Sequence, residues 1–295
     1  MYLAIDIGGT AIKYGIIDAN GGIREKNEVA TEAAKGGPVI LEKVLDIVAG
    51  YHAKIKLDGI GISTAGMVNC ASGEIFYASP LIPDYIGINY KTSIEERFHI
   101  PCEVENDVNS AGLAESVFGA AKSCHSAVVI TVGTGIGGCL ITDGKVYHGF
   151  SNSACEIGYM YVDGETRYER QGAASAMVER VAAAYQEPVE NWDGKKIFAM
   201  AKSGDAICTE AINHMITVLV KGIANICYVV NPEIVVLGGG IMAQTEYLAP
   251  RINKALDQYM VESIRKSTRL AFAELKNDAG MLGAWHNFML KHKAI

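Results

Sequence analysis

Short apolar runs alternate with amphipathic segments along the whole chain. The patterns predict strands at residues 2–7, 14–18, 59–63, 102–105, 234–237 and 270–272, and a strand hairpin at 127–147. They predict helices at residues 38–52, 108–119, 172–185, 194–202, 205–231, 246–263 and 279–291. Because strands and helices alternate and no low-complexity linker interrupts them, the pattern indicates two α/β halves.

Two glycine-hydroxyl turns follow apolar strand-like runs. Gly8-Gly9-Thr10 follows Ile5-Asp6-Ile7, and Gly133-Thr134-Gly135 follows an apolar run that ends at Val132. Either turn alone is typical of an ordinary β-hairpin. Glycines let backbone N–H groups approach an anion, so the pair, together with Asp6, predicts two turns that bind a polyphosphate. A shift of 125 positions superimposes Ile5 on Ile130, Gly8 on Gly133, Ile16 on Ile141 and Asp18 on Asp143 without a gap.

Composition narrows the class of protein. Apolar residues make up 49% and charged residues 20% of the 295 residues, as in a globular enzyme. The net charge is −7 and no basic stripe stands out, which argues against a nucleic-acid partner. The seven cysteines include no C-x-x-C pair and fit reduced core thiols. With a strand predicted from residue 2 and no apolar run near 20 residues, we expect a cytoplasmic protein with no signal peptide and no membrane partner.

Five segments in order carry a resemblance to a known family. They are Asp6–Thr10, Glu105-Asn106-Asp107, Gly133–Gly137, Glu156-Ile157-Gly158 and Asn231–Gly240. In this order they resemble the ROK family of sugar kinases, which belongs with actin, hexokinase and the heat-shock chaperone ATPases. The resemblance covers nearly the whole chain.

The resemblance implies an α/β fold of two ribonuclease-H-like (actin/hexokinase-type) domains around a central cleft. We expect an N-terminal domain at residues 1–110, onto which a helix at about 280–295 packs, and a second domain at 111–279. A homodimer is expected.

Asn106-Asp107 carries the predicted catalytic chemistry. Phosphoryl transfer to a sugar needs a carboxylate that accepts the hydroxyl proton and a group that fixes the acceptor. Both residues also suit a helix N-cap. With the resemblance, Asp107 is assigned as general base and sugar ligand, and Asn106 as a ligand of a sugar hydroxyl.

ATP and Mg²⁺ are the implied cofactors. Asp6 is expected to orient a Mg²⁺-bound water, although an Asx turn is the alternative. Lys13 reaches a phosphate or is a solvated strand residue, and Gly238–Gly240 lies under the adenosine or is a permissive turn. The nucleotide-binding set is Ile5, Asp6, Ile7, Gly8, Gly9, Thr10, Ala11, Lys13, Gly133, Thr134, Gly135, Gly137, Gly238, Gly239 and Gly240.

The sugar site departs from the family pattern. Glu156 matches the glutamate of the family's Glu-x-Gly-His, but Tyr159 replaces the histidine. Residues 162–169 replace a cysteine-rich zinc stretch and contain no cysteine, so no zinc site is predicted. Glu169 is expected as a second sugar-binding carboxylate, or else as a surface glutamate at a helix start.

Further sugar contacts are expected at Gly66 and Ser79, which are equally typical of turns; the seven histidines, His148 among them, are expected to be structural.

The resulting hypothesis is ATP-dependent phosphorylation of O6 of a hexose unit. Glucokinase, fructokinase and N-acetylmannosamine kinase are alternatives, and β-glucosides such as cellobiose are favoured because Tyr159 offers an aromatic face to a second ring. A non-catalytic sugar sensor is the competing class, but the turn that begins after Asp6 leaves no room for the N-terminal helix-turn-helix of ROK repressors. An acyl-phosphate kinase would not need the Glu156 element.

Overall fold

The computed structural model describes residues 1–292. Contacts divide it into two compact units. Unit 1 comprises Met1–Phe118, Lys145–Ala154 and the segment from Asn277, and unit 2 comprises Gly119–Gly144 and Cys155–Lys276. The predicted domain boundary near residue 110 therefore falls inside unit 1, and residues 145–154 also belong to unit 1. Residues 293–295, the predicted end of the last helix, lie outside the described residues.

The described residues form fourteen strands and ten α-helices. The strands are β1 (Tyr2–Ile7), β2 (Ala11–Ile17), β3 (Ile23–Ala30), β4 (Gly59–Thr64), β5 (Met67–Asn69), β6 (Glu74–Tyr77), β7 (Cys102–Asn106), β8 (Ser126–Val132), β9 (Ile136–Thr142), β10 (Lys145–Val146), β11 (Tyr161–Asp163), β12 (Thr166–Arg167), β13 (Ile234–Gly238) and β14 (Arg269–Phe272). The helices are α1 (Gly37–His52), α2 (Tyr90–Phe98), α3 (Asp107–Phe118), α4 (Glu169–Gly172), α5 (Ala174–Tyr185), α6 (Gly194–Lys202), α7 (Ala206–Val230), α8 (Thr245–Tyr259), α9 (Glu262–Ser267) and α10 (Ala279–Lys291).

The sheet of unit 1 places its polar strand ends at one edge. The strand order is β3–β2–β1–β4–β7. Strands β1, β4 and β7 run parallel to one another, and β2 is antiparallel to both of its neighbours, β1 and β3. Asp6 pairs with Ser63, and Thr64 pairs with Asn106. Because the carboxyl ends of parallel strands share an edge, Asp6 and Asn106 come to the same side of the sheet, where α/β folds bind their ligands.

Helix α10 packs against both β4 and α3 within unit 1. A Cβ on Gly283 would lie 1.8 Å from the carbonyl oxygen of Ser110, and a Cβ on Gly61 would lie 2.3 Å from that of Ala284. These close approaches explain the glycines: any larger residue would push α10 away from its neighbours. The C-terminal helix therefore completes the core of unit 1.

Unit 2 repeats the arrangement with its strands β9–β8–β13–β14. β8 and β9 form an antiparallel hairpin, and β8, β13 and β14 run parallel. The gapless 125-residue superposition nevertheless fails at the strand pairing. Ile5 pairs with Tyr14, which predicts Ile130 opposite Cys139, but Ile130 pairs with Gly138. The second turn is therefore one residue shorter than the first.

Helix α7 forms the centre of the unit 2 core. Its 25 residues contain an 18-residue apolar window with a mean hydropathy of 1.3, so it is long and apolar enough to cross a membrane by length and composition. The sequence expectation that no apolar run approaches 20 residues is corrected here. However, 61% of that apolar window is buried inside the protein, and a buried core helix passes the same test.

The hydrophobic pattern did not predict polar strands and helices or breaks within helices. β3 is an exposed strand with no apolar alternation, and α2, begun by an Asn89 cap, was not predicted. The helix predicted over 246–263 is two helices, because the chain leaves helical geometry after Tyr259. At that break, the Tyr228 hydroxyl donates to the Tyr259 carbonyl at 3.1 Å and accepts from the Val261 N–H at 2.8 Å.

Candidate active site

Asn106 and Asp107 occupy the junction of β7 and α3. The Asn106 Oδ1 accepts from the N–H groups of Val108 and Asn109 at 2.9 and 3.1 Å, which caps the helix. Its Nδ2 donates to the Gly66 carbonyl at 2.9 Å and to Asp107 Oδ1 at 3.0 Å. Both N–H groups of the amide are thus used, so the geometry gives Asn106 a positioning role. Its contact with a sugar hydroxyl stays a prediction.

A buried chain of hydroxyl groups lies on the neighbouring strand end. Thr64 Oγ1 lies 2.5 Å from the Tyr85 hydroxyl, which lies 3.0 Å from the Tyr90 hydroxyl. Burial raises the pKa of Tyr85 to about 12, and the charge of Asp107 adds to that rise. Tyr85 therefore stays a neutral phenol near the Asp107 carboxylate.

Asp6 lies at the end of β1 in an enclosed environment. The Ser63 hydroxyl donates to its Oδ1 at 2.8 Å. A Cβ on Gly280, at the start of α10, would lie 2.2–2.5 Å from the carboxyl atoms of Asp6. Burial raises the pKa of this carboxyl, against the lowering effects of Ser63 and Lys13. Lys13 Nζ itself donates to Asn277 Oδ1 at 3.2 Å.

The first turn is anchored within unit 1. The Gly8 N–H donates to the Ala11 carbonyl at 3.1 Å, and the Thr31 hydroxyl donates to the Gly8 carbonyl at 2.6 Å. A methyl group on Gly9 would meet no protein atom within 4 Å. Neither φ nor packing therefore demands glycine at position 9. Ile5 and Ile7 are buried in the core, so only their backbone is available to a ligand.

The second turn is anchored by the start of α5. The Gly133 N–H donates to the Gly135 carbonyl at 2.9 Å, the Ala174 N–H to the Gly133 carbonyl at 3.0 Å, and the Ser175 hydroxyl to the Thr134 carbonyl at 2.6 Å. A methyl group on Gly133 would again meet nothing within 4 Å.

The triple glycine ends β13 and includes one position that requires glycine. Gly239 has φ +95° and a Cβ there would lie 2.2 Å from the Val132 carbonyl oxygen. Gly240 has open space around it, and Gly137 lies in β9 opposite Thr131. Gly238–Gly240 thus forms a tight strand end directly beside the end of β8.

Glu169 lies close to the second turn, and its charge acts on Glu156. A Cβ on Gly135 would lie 2.7 Å from Glu169 Oε2, and one on Gly158 would lie 3.2 Å from the same atom. Burial raises the pKa of Glu156, and the charge of Glu169 raises it further. The structure therefore brings together the two carboxylates predicted for the sugar.

Tyr159 is covered on one face. The Arg167 guanidinium lies 4.8 Å from the centre of its ring. Arg167 belongs to β12, which pairs with β11 to form a small hairpin. The predicted aromatic face of Tyr159 is thus shared with an arginine.

Gly66 and Ser79 both lie in turns, as the alternative to a sugar contact predicted. Gly66 has φ +95°, and a Cβ there would lie 2.8 Å from the Tyr77 carbonyl oxygen. Ser79 is exposed, and its hydroxyl accepts from the Leu81 N–H at 3.4 Å. Gly66 lies beside Asn106 through its carbonyl, whereas Ser79 lies in the loop after β6.

Sequence reasoning missed a group of three side chains in unit 1. Cys70, Glu105 and His148 place one ligand atom each within 4.8 Å of one another. They come from three separate segments, so no local spacing signals them. Ser63, the partner of Asp6, was missed for the same reason.

Related proteins are similar over nearly their full length. An uncharacterized protein of Clostridium perfringens is 50% identical over 98% of this chain and 97% of its own. A glucokinase of Halalkalibacterium halodurans is 29% identical, covering 96% and 93%. A beta-glucoside kinase of Listeria monocytogenes is 28% identical, covering 97% and 96%.

A solved structure shows the same fold. The ROK family glucokinase from Streptomyces griseus in complex with glucose and AMPPNP aligns with a TM-score of 0.83 and 26% identity, covering 96% of this chain and 97% of its own. Both units thus have the hexokinase-type α/β fold that the resemblance implied. The family model for ROK proteins matches residues 2–291, and the chain belongs to the ROK family.

Proposed function

We propose that this protein is an ATP-dependent kinase that phosphorylates a hydroxyl group of a sugar, at O6 of a hexose unit. The observation that carries the proposal is the Asn106–Asp107 pair at the end of β7, held by hydrogen bonds in a chain whose two units each carry a glycine-hydroxyl turn. The names of its relatives, a glucokinase and a beta-glucoside kinase, support the same class of reaction.

Asp107 accepts the proton of the attacking hydroxyl in this proposal. Its Oδ1 receives hydrogen bonds from Asn106 Nδ2 at 3.0 Å and from the Val108 N–H at 2.9 Å. Those bonds fix the carboxylate, which keeps the base in one orientation toward the acceptor. The O–H bond of the sugar breaks as its oxygen bonds to the γ-phosphorus, and the leaving group is ADP.

Glu156 and Glu169 bind sugar hydroxyl groups. Glu169 lies beside Gly135 and Gly158, and its charge acts on Glu156, so the two carboxylates offer hydrogen-bond acceptors near one another. Burial and mutual repulsion raise the pKa of Glu156, and hydroxyl donors relieve the same desolvation when sugar binds.

The donor set of unit 1 fits Mg²⁺ in an indirect role. Asp6 is a single enclosed carboxylate with one oxygen taken by Ser63, which suits an acceptor for metal-bound water better than a full coordination cage. The ion would supply charge neutralisation on the phosphates. Gly9 and Gly133, which have open space where a side chain would stand, suit close approach of phosphate oxygens to the backbone.

β-Glucosides are the favoured sugar class. The family's zinc stretch is replaced by the short β11–β12 hairpin, whose Arg167 stacks on Tyr159. The Tyr159 ring suits contact with a second sugar ring, and the guanidinium of Arg167 covers one of its faces. The relative named beta-glucoside kinase supports this choice, and the relative named glucokinase supplies the alternative.

The test is a coupled ADP-release assay with purified protein, ATP and Mg²⁺ over glucose, fructose, mannose, N-acetylmannosamine, cellobiose and other β-glucosides. We expect sugar-dependent ADP release that is lost in Asp107→Asn. Phosphate position is then read from the product by NMR. Sugar binding without any ADP release would favour a sensor instead, and turnover of a carboxylic acid acceptor alone would favour an acyl-phosphate kinase.

A further inference from the structure

Three side chains of unit 1 converge on one point beside the proposed catalytic pair. Cys70 follows β5, Glu105 lies in β7, and His148 follows β10. Cys70 Sγ lies 3.5 Å from both carboxylate oxygens of Glu105, and His148 Nε2 lies 2.8 Å from Glu105 Oε2. We propose that Cys70, Glu105 and His148 form a binding site for a divalent transition-metal ion of the zinc class.

The ligand set matches that class of ion. Thiolate, imidazole and carboxylate are the three side-chain ligands that Zn²⁺ uses in proteins, and hard ions such as Mg²⁺ avoid sulfur. A tetrahedral ion with a metal–sulfur bond of about 2.3 Å and a metal–oxygen bond of about 2.0 Å separates those ligand atoms by roughly 3.5 Å. That is the separation between Cys70 Sγ and each oxygen of Glu105.

The nitrogen ligand needs a small adjustment. Tetrahedral geometry separates nitrogen and oxygen ligands by about 3.3 Å, so His148 must move from its hydrogen bond by roughly 0.5 Å. Its side chain is 28% exposed, which gives it freedom to move and gives the ion access to the site. Water fills the fourth position from the same exposed side.

Outer hydrogen bonds orient the carboxylate ligand. Glu105 Oε1 accepts from the Asn106 N–H at 2.8 Å and from Asn109 Nδ2 at 3.0 Å. Oε2 therefore remains directed at His148. Hydrogen bonds of this kind from neighbouring residues commonly orient the side chains that bind a metal. The Glu105 carboxyl is fully buried, and the pairing with His148, Asn109 and Asn106 lowers its pKa despite that burial.

Binding releases a proton from sulfur. The Cys70 thiol is protonated in the metal-free protein, because burial and the Glu105 charge raise its pKa. The metal forms a bond to Sγ as the S–H proton leaves to solvent, and His148 binds through Nε2 in the tautomer protonated at Nδ1. No electron is transferred, since zinc has no redox chemistry in proteins.

The site is distinct from the zinc stretch of the family. The sequence predicted no zinc because position 159 and residues 162–169 lack its ligands, whereas these three residues lie 35 and 43 positions apart along the chain. A metal here would tie the segment after β10 to the ends of β5 and β7. The inference stands on unit 1 alone and does not depend on the proposed kinase activity.

The experiment is a cobalt titration of the full chain after chelator treatment. We expect one Co²⁺ per chain with a thiolate-to-cobalt charge-transfer band, displaced by Zn²⁺, and a rise in the melting temperature with either metal. Cys70→Ser should abolish the band, and His148→Gln should weaken binding at least about tenfold. Cys124→Ser and His52→Gln are matched controls that should change neither.

A second readout uses the wild-type protein, in case Cys70→Ser does not fold. Zinc should slow alkylation of Cys70 in the metal-loaded chain, mapped by mass spectrometry, while the partly exposed Cys124 alkylates at an unchanged rate. A wild-type titration without the band, a band that survives Cys70→Ser, or equal protection of Cys124 would overturn the proposal and leave the three residues as a hydrogen-bonded network.

Discussion

The side-chain amide of Asn106 donates to Oδ1 of Asp107 at 3.0 Å and to the Gly66 carbonyl at 2.9 Å. One neighbouring residue thus ties the proposed base to the loop after β4. The same amide caps α3 through its oxygen, so the start of the helix and the orientation of the carboxylate depend on a single side chain.

Asp107→Asn should lose phosphoryl transfer and keep sugar binding. Asparagine preserves the size of the side chain but cannot accept the hydroxyl proton, and loss of a general base costs on the order of 10²–10⁴ in rate. The measurement is kcat in the ADP-release assay together with sugar affinity by calorimetry. Asp257→Asn, at an exposed carboxylate paired with Arg265, is the control and should leave both unchanged. Near wild-type turnover in Asp107→Asn would remove Asp107 from the mechanism.

Asn106→Ser should separate positioning from helix capping. Serine is a good N-cap, so the melting temperature should fall little, but it cannot donate to both Gly66 and Asp107. A catalytic group displaced by about 1 Å can cost on the order of 10²-fold, and we expect kcat to fall by up to that factor. A fall in sugar affinity with kcat unchanged would instead assign Asn106 to direct sugar binding.

The parts of this site that follow a strand were predictable, and the parts that meet across strands were not. The positions of Asn106 and of the turn after Asp6 could be predicted, because each follows an apolar strand and strand ends meet at one edge of a parallel sheet. The Cys70–Glu105–His148 group could not be predicted, because it depends on which strands are neighbours in the fold. A local sequence pattern does not contain that information. The one-residue difference between the hairpins was hidden because Gly137 and Gly138 give no side-chain pattern to fix the register.

Gly9→Ala should raise the KM for ATP without destabilising the protein. The added methyl group meets no protein atom within 4 Å, so a loss of affinity must come from the ligand. We expect KM for ATP to rise at least about tenfold, since displacing backbone donors from a phosphate costs over 1 kcal/mol. Gly50→Ala in α1, which also meets no atom within 4 Å, is the control and should leave KM unchanged. An unchanged KM in Gly9→Ala would mean that the nucleotide does not approach this turn.

Glu156→Gln should raise the melting temperature at pH 7 and abolish tight sugar binding. Burial and the charge of Glu169 raise the pKa of Glu156 in the folded state above its ordinary value of 4.5. As pH rises, Glu156 therefore loses its proton in the unfolded chain before it does so in the folded protein. The charged carboxylate lowers the free energy of unfolding above the folded-state pKa and has no effect on it below about pH 4.5. The stability gain of Glu156→Gln should shrink to zero as pH falls to that value.

A double-mutant cycle with Glu169→Gln isolates the repulsion between the two glutamates. The coupling free energy from thermal melts should be unfavourable at pH 7 and should vanish near pH 4.5. A coupling that does not change with pH would show that the two carboxylates do not share an environment.

Cellobiose should be turned over at least as efficiently as glucose, and the preference should depend on Tyr159. A second ring against the aromatic face gains roughly 1–2 kcal/mol, which corresponds to about a tenfold preference or somewhat more in kcat/KM. Tyr159→Ala should therefore reduce kcat/KM for cellobiose about tenfold more than for glucose, while Tyr159→Phe keeps the ring and the preference. Because Arg167 covers one face of Tyr159, the variant Arg167→Ala is needed to separate the contribution of the guanidinium from that of the ring. It leaves the ring in place and should preserve the preference, so a loss there would assign recognition of the second sugar to the guanidinium. Equal losses for both sugars in Tyr159→Ala would reduce Tyr159 to a wall of the pocket. A wild-type preference for free glucose or N-acetylmannosamine would exclude the β-glucoside assignment and leave the sugar kinase assignment standing.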